Sequence, residues 1–593
     1  MSREDASPWV AAAALAAGGA AARCAIWLMP ATGSDVEQAR KLGIVSVSIL
    51  AGHSKSAESL AYVVGVLVAL AVSVGLWMWW ARPLPAIEPP REPLARPRLF
   101  ELLAVALVAL VIARPLRAHA SWSNPWVLYS EEGEALAWVD TVLRGAALSR
   151  DVFCLYGPLS TWPVSILFGA FGPSLALWRR WMFALDAAGF AAAWWLARGL
   201  FRTRTGAFLA AVVVALVCVR GIPAMSWSLA RVGLGLCALG ALARGRPLAT
   251  GALLGLALGY SQEVGVACGV AVGAALFVTR EPWRTWAWTA SGAALVLVPL
   301  ATYLAVIGVL GATLDNLFLF PRTRVLGFGG LPFPPLGRSA ESLRAYVVPV
   351  VLVAGGLSIA TKLLRGARDA RTRTETALFV FGMLLEASAL SRPDDTHLAF
   401  AAPPALLLLT RLVEDAALAL AMPARRIAGA AGVALGTLVL APWAPIVGEN
   451  LVTMISPVPE VFRPLELPRG GGASLPQSFA TQVEKVTREL QLRVPPGEPF
   501  WVFPNEALFY FLADRPQPTR YPLALFAVTR EQRLELVADL ERTQPRWVLV
   551  NRAAARVDDI PYEVALPELV DYLTGRYEFE ESLGSFGFWR RKN

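Results

Sequence analysis

Apolar residues in this chain come in blocks long enough to cross a bilayer, and that clustering constrains the fold more than any other feature. Stretches such as Phe100 to Ala113 and Ala290 to Val309 are rich in Ala, Val and Leu and hold almost no charge. About 20 apolar residues in helix span the hydrocarbon layer, a length no soluble core requires. The other backbone that closes its hydrogen bonds inside lipid is a barrel. Barrel strands alternate apolar and polar residues over segments of about ten, and these blocks do not alternate. The 593 residues are 56% hydrophobic and 17% charged, against about 25% charged in soluble domains. The fold class that follows is an all-α polytopic membrane protein.

Thirteen helices are expected, at roughly 9–29, 60–80, 99–117, 174–198, 206–220, 226–243, 248–260, 263–279, 285–310, 345–364, 375–391, 397–411 and 427–446. The pair around Ser261-Gln262-Glu263 also reads as one kinked span. The first helix begins near Glu4 and Asp5 rather than a basic cluster, and no small-x-small cleavage site follows, so it is expected to be retained. Arginine sets the orientation. Arg82, Arg91, Arg96 and Arg98 share one loop, and later loops carry Arg198, Arg202 and Arg204, then Arg244 and Arg246, then Arg280 and Arg284. The richest run is Lys362, Arg365, Arg368, Arg371 and Arg373. Every second loop is short and basic, so these face the cytoplasm. The N-terminus joins them, and the loop at 118–173 and everything after 447 lie outside.

The net charge of +9 does not indicate nucleic acid, because the arginines fall between apolar segments instead of forming one patch. Five cysteines, an odd number, make no disulfide framework. From about residue 448 the pattern becomes that of a soluble domain. Phe479, Val483, Val486 and Leu490 recur at helical spacing, and so do Leu534, Val537 and Leu540. Phe500 to Phe503 and Trp547 to Val550 read as buried strands, and Tyr577 to Arg590 as a strand pair around Gly584. A small α/β domain is expected, joined by the Pro/Gly-rich linker Pro457 to Gly472.

Chemistry is concentrated in the outer loops. Tyr129-Ser130-Glu131-Glu132-Gly133-Glu134 is followed by Asp140, Arg150, Asp151 and Tyr156. Carboxylates at a membrane surface are functional candidates: they accept a proton from an incoming hydroxyl or hold a metal against a phosphate. A solvated amphipathic helix explains the same run. Arg392-Pro393-Asp394-Asp395-Thr396-His397 offers a phosphate-binding arginine, an orienting carboxylate and a histidine for a diphosphate or sugar hydroxyl. The plainer account is a turn with a helix cap at Asp395 or Thr396. Arg322 and Arg324 sit among Phe318, Phe320, Phe328 and Phe333 in the loop 311–344, which suits an isoprenoid phosphate or an interfacial aromatic belt. Glu263 interrupts an apolar region, and Glu386 does so more weakly. The three histidines lack ligand spacing, so no histidine metal site is expected.

The order of these motifs resembles a known family. Glu131-Glu132-Gly133, a helix ending at Leu143-Arg144-Gly145, Arg150-Asp151, Tyr156-Gly157-Pro158 and Phe168-Gly169 before the next helix resemble the first external loop of the GT-C superfamily. Within it they are similar to the family 39-like enzymes, which include protein mannosyltransferases and lipid A aminoarabinose transferases. Arg392 to His397 resembles a late Arg-x-Asp-x-x-His segment of such proteins. Phe503-Pro504-Asn505-Glu506, Leu508 to Arg515 and Pro545 to Val550 resemble the outer domain of bacterial relatives. The likeness runs from about Phe100 onward and departs where Glu131 replaces the usual leading Asp, leaving open whether Glu131 or Glu132 is the working group.

The resemblance implies a division into 1–98 (two additional helices and a cytoplasmic loop), 99–447 (a transmembrane catalytic core) and 448–593 (an extracytoplasmic α/β domain). It implies a bacterial inner-membrane enzyme that moves a sugar from a polyprenyl-phosphate donor to a glycan, lipid or protein acceptor on the outer face. Glu131, Glu132 and Asp151 would be catalytic. Arg150, Tyr156, Glu263, Arg322, Arg324, Arg392, Asp394 and His397 would bind substrate. A divalent cation, Mg or Mn, is left open as a cofactor. The rival readings are a transporter or flippase for lipid-linked sugars, a surface-polysaccharide polymerase or ligase, and a non-catalytic scaffold of the same fold.

Overall fold

The computed structural model describes residues 7–29, 33–80, 99–113, 126–219, 224–455, 461–554 and 556–593. The basic connector 81–98, with its four arginines, lies outside the described residues. So do residues 114–125, His119 among them, and the first residues of the expected linker.

Each of the thirteen expected helices overlaps a helix in the structure, from Ser7–Trp27 and Lys55–Trp80 through to Arg426–Leu440. By length and composition, five helices among the described residues suffice to cross a membrane: Val10–Trp27, Lys55–Trp79, Trp283–Val306, Ala340–Leu364 and Arg426–Val452. A sixth arises if Asp395–Ala401 and Pro403–Leu420, bent by 62°, are taken as one span. Pro403 and Pro404 contribute to that bend, since neither carries an N–H for the helix ladder. Other apolar helices, such as Arg204–Cys218 and Gln262–Val278, have 15 and 17 residues. At about 1.5 Å per residue they fall short of a hydrocarbon layer of about 30 Å. The molecule is thus a multi-pass helical membrane protein, and the count of thirteen crossings stays an expectation. The segment at 248–279 is two helices, Pro247–Tyr260 and Gln262–Val278, broken at an extended Ser261.

The loops at 118–173 and 311–344 are, among their described residues, more structured than their sequence suggests. A π-helical turn, Val127–Glu132, leads directly into the helix Gly133–Leu143. A second π turn, Asp315–Leu319, precedes the short helix Pro321–Val325. The tail carries a four-stranded sheet in the order Trp501–Phe503, Trp547–Asn551, Phe586–Arg591, Tyr577–Leu583. The first pair is parallel and the other two are antiparallel. Helix Gln477–Arg493 turns Val483, Val486 and Leu490 fully inward. Helix Arg530–Thr543 starts on a Thr529–Gln532 capping box.

Two apolar cores result. One fills the helical bundle. The other is shared: Leu128, Leu136, Trp138, Phe153 and Trp178 from the loop region pack with Phe500, Phe509, Leu536 and Phe588 from the tail. The contact is close. A Cβ on Gly133 would lie 2.2 Å from the backbone nitrogen of Leu508, so only glycine lets the acidic helix approach the tail. Polar ties reinforce it. Asp140 accepts from Arg144 and Arg469, and Asp514 accepts from the same two arginines. Arg520 donates to the Ser149 carbonyl and to Asn316, which joins both outer loops to the tail.

Candidate active site

A cavity of about 550 Å³ lies where the outer loops, the bundle and the tail meet. Glu131 and Glu134 enter it from the π turn and the helix that follows, Tyr156 from the loop beyond, and Arg324 from Pro321–Val325. The bundle contributes Arg231 from Leu229–Ala243, Glu263 from the start of Gln262–Val278, and His397 from Asp395–Ala401. Lys55 comes from the N-terminal helices, and Leu523, Leu525 and Phe526 from the tail.

Glu131 is held by two indoles: Trp227 Nε1 donates to one carboxylate oxygen at 2.9 Å and Trp126 Nε1 to the other at 3.3 Å. Trp227 also meets the His397 ring edge-on, centroids 4.9 Å apart. His397 is fixed by Asp394, whose oxygen lies 2.8 Å from Nδ1. The same oxygen caps the helix by accepting from the backbone N–H groups of Thr396 and His397. The cap is therefore Asp394, one residue earlier than the capped turn expected at Asp395. Burial works against charge on Asp394, but the His397 bonds and the Arg392 guanidinium outweigh it and hold the carboxyl well below its usual range.

Glu263 is neutralised within the site. Arg231 donates to one of its oxygens and Ser388 to the other. Arg231 also donates to Ser261 at 3.0 Å and to the Ser226 carbonyl at 2.9 Å. Its guanidinium lies 4.6 Å from the Tyr156 ring centroid and 4.1 Å from that of Phe400. Burial pushes the Tyr156 hydroxyl up to about 12, so it stays protonated.

Two groups face the cavity differently. Arg324 stacks 4.8 Å from the Phe328 ring centroid and has no hydrogen-bond or ion-pair partner among the described residues. Burial pulls it below the usual arginine value, yet a guanidinium remains charged at neutral pH. Glu134 is 6% exposed, and its Oε1 has no hydrogen-bond partner. Burial first, then the charge on Glu131, push its carboxyl well above the usual range, while Arg324 pulls the other way.

Other residues singled out from the sequence lie elsewhere. Glu132 is fully buried on the opposite side of its turn, where Arg179 grips both oxygens at 3.0 and 3.1 Å and also donates to the Ser474 carbonyl. Arg150 and Asp151 pair with each other at the surface, where Asp151 also receives the Ala147 N–H. Arg322 points outward from its short helix. Arg392 stands beside the cavity but is already occupied: it donates at 2.6 Å to both oxygens of Asp558, at 2.8 Å to Asp394 and at 3.2 Å to the Gly329 carbonyl. Glu386 is fully buried with neither oxygen bonded, and it does not line the cavity.

Sequence reasoning placed Glu134 in the acidic run without a role of its own, and gave none to Arg231, Trp227 or Lys55. Arg231 had a usable signal, an arginine inside an apolar helix with Glu263 as the obvious partner. Trp227 and Lys55 had none, because their place in the site depends on packing between distant segments. Among the described residues no group of three or more His, Cys, Asp or Glu side chains converges to hold a metal ion.

No family model matches the chain, and no curated protein does. Solved structures resembling it include ArnT from Cupriavidus metallidurans bound to undecaprenyl phosphate, with 14% sequence identity, a TM-score of 0.46 and coverage of 83% of this chain and 97% of that one. The apo state of that protein gives 13% identity, a TM-score of 0.47 and the same coverage. The Archaeoglobus fulgidus oligosaccharyltransferase in complex with Zn and sulfate gives 14% identity, a TM-score of 0.46 and coverage of 82% of this chain and 72% of that one. With TM-scores under 0.5, these likenesses carry no functional argument.

Proposed function

We propose that the protein is a GT-C-type glycosyltransferase that moves a sugar from a polyprenyl-phosphate donor to an acceptor hydroxyl at the outer membrane face. One observation carries this reading. A single cavity joins an arginine with no hydrogen-bond or ion-pair partner among the described residues, a carboxylate steadied by indole N–H groups, and a half-exposed apolar side. Val266, Val270, Phe318 and Val325 line that side and are each about half exposed, at 48, 52, 47 and 57%. An isoprenoid chain fits beside them, with its phosphate reaching Arg324.

Glu131 is the working base in this reading. It takes the proton of the acceptor hydroxyl as the acceptor oxygen bonds to the sugar's anomeric carbon. The carbon–oxygen bond to phosphate breaks and its electron pair leaves on the phosphate, where Arg324 offsets the charge. His397 and Tyr156 supply further polar contacts for sugar hydroxyls. Glu132 acts through structure, by anchoring the turn that carries Glu131. The donor set does not fit a metal held by the protein alone, so no step is routed through Mg or Mn. The orientation argued from arginine placement puts the tail outside, and a reporter active only outside the cytoplasm should light up when fused after Asn593.

The decisive experiment uses the full-length protein in nanodiscs with polyprenyl-phosphate-linked sugars, read by mass spectrometry. Surface glycans of cells with and without the protein are compared in parallel. Transfer in the first and a lost sugar in the second are expected. An unchanged glycan profile together with no transfer from any donor would leave the scaffold reading in front.

A further inference from the structure

We propose that Glu134 is a substrate-touching acid of this site: it keeps its proton and donates it in a hydrogen bond to the donor's phosphate, opposite Arg324. The proposal rests on the transferase reading above and adds to it a residue outside the acidic pair of the motif.

Glu131 and Glu134 stand three residues apart, on one face of the helical run, and both line the cavity. Two carboxyls so close do not both ionise cheaply. Their surroundings assign the charge. Glu131 receives two indole N–H donors, which favour an anion. Glu134 receives no donor at Oε1 and is buried at 6% exposure. An acid in that position is favoured neutral, and a neutral carboxyl can donate a hydrogen bond that a carboxylate cannot. Arg324 also lines the cavity and has no hydrogen-bond or ion-pair partner among the described residues. It acts on Glu134 electrostatically but forms no salt bridge with it, and both line the same cavity. An anionic oxygen satisfies both at once. Were Glu134 ionised instead, it would cancel Arg324 and repel the phosphate.

The remaining neighbours do not reverse this. The Cys154 thiol and the Tyr156 hydroxyl are both pushed up to about 12 by burial, so neither brings charge at neutral pH. Beyond Tyr156, Arg231 and Glu263 neutralise each other. His397 and Lys55 are engaged by Asp394 and Glu58. The helix Trp162–Phe171 and the segment Leu508–Ala513, which pack on Gly133–Leu143, contain no charged residue.

The test measures binding of polyprenyl monophosphate to the full-length protein in nanodiscs, from acidic to mildly alkaline pH. Wild-type affinity should fall by at least about tenfold as pH rises through the raised Glu134 pKa, the size expected for losing a hydrogen bond to a charged group. Glu134→Gln, whose amide donates without ionising, should bind within about threefold of wild type at low pH and lose the pH dependence. Glu134→Leu should bind about tenfold more weakly at every pH. Thermal melting of each variant confirms that it is folded. Wild-type pH dependence surviving in Glu134→Gln overturns the proposal, and so does full affinity in a folded Glu134→Leu. Inorganic phosphate should compete only at far higher concentration, and phosphatidic acid should not compete. Equal competition by phosphatidic acid makes the ligand an ordinary lipid headgroup and overturns the donor assignment. Because binding is read without transfer, a protein that binds in this pattern but transfers nothing fails the transferase reading alone. A pH-independent wild type fails the Glu134 assignment alone.

Discussion

Buried charge occurs at both ends of the helical bundle, and the two ends treat it in opposite ways. At the end bearing the basic loops, Arg411 is 1% exposed and lies within 4 Å of Glu375, Glu414 and Asp415. Glu414 also accepts from the backbone N–H groups of Arg202 and Thr203 and from the Thr203 hydroxyl. Lys362 closes onto Glu375. These cations and carboxylates neutralise one another and tie four segments of chain together. In the cavity at the other end, Arg324 has no hydrogen-bond or ion-pair partner among the described residues and Glu134 has an oxygen without one. A buried charge that is paired holds a fold together. One left unpaired costs stability, so an outside ligand is the physical reason to keep it.

The sharpest way to break this comparison lies within a single turn. Glu132→Gln removes the charge that balances Arg179, which is 4% exposed, and should destabilise the protein by about 3 kcal/mol in denaturant or thermal unfolding. Transfer per folded molecule should hold. Glu131→Gln should do the reverse, lowering kcat by at least about a hundredfold while stability moves by less than about 0.5 kcal/mol. If the two variants exchange phenotypes, the working carboxylate is Glu132 and the division between paired and unpaired charge fails.

At the opposite end, Glu414→Gln should destabilise by about 1–3 kcal/mol, because Arg411 keeps Glu375 and Asp415. Donor affinity should not change, and a weakened affinity would mean the two ends are coupled. The smallest effect is expected at the tail turn between the two-residue strands Arg556–Val557 and Ile560–Pro561. Asp558→Asn loosens the grip on Arg392 and should cost about 1–2 kcal/mol, since both side chains keep 20–25% of their surface in solvent. Arg392 would then be freed beside the cavity, and a gain in polyprenyl-phosphate affinity would show that Asp558 competes with the ligand. Stability should also follow pH through Glu134. Its raised folded-state pKa means that its contribution is complete below the unfolded carboxyl value. That contribution disappears as pH rises through the folded value, so the melting temperature should fall toward alkaline pH by less in Glu134→Gln than in wild type.

Local patterns carried far along this chain. Apolar blocks foretold where helices lie, and the spacing of Val483, Val486 and Leu490 foretold the tail helix, because burial imposes a period on sequence. The same reasoning does not fix the number of crossings. Hydropathy shows that a segment is buried in something apolar, but helices of 15 and 17 residues are as well served by neighbouring helices as by lipid. Among site residues, Tyr156, Glu263, Arg324 and His397 stood out as polar groups at the outer ends of apolar runs, and the cavity gathers them with Glu131. Arg150, Asp151 and Arg322 had the same credentials and lie at the surface. Charge and position alone do not reveal the direction of a side chain.

The residue pattern alone carried the helical membrane class, the α/β character of the tail and the acidic character of the loop at 118–173. Each follows from composition and period within a few tens of residues. Only the tertiary structure separated Glu131 from Glu132. The helical turn sends adjacent residues to different faces, and which face meets a cavity depends on Arg179 arriving from one side and Trp227 from the other. Only the tertiary structure set Lys55 beside Leu331 and closed the tail's Leu523 and Phe526 over the same space. Those contacts join segments separated by hundreds of residues, and long-range packing of that kind leaves no period in a sequence.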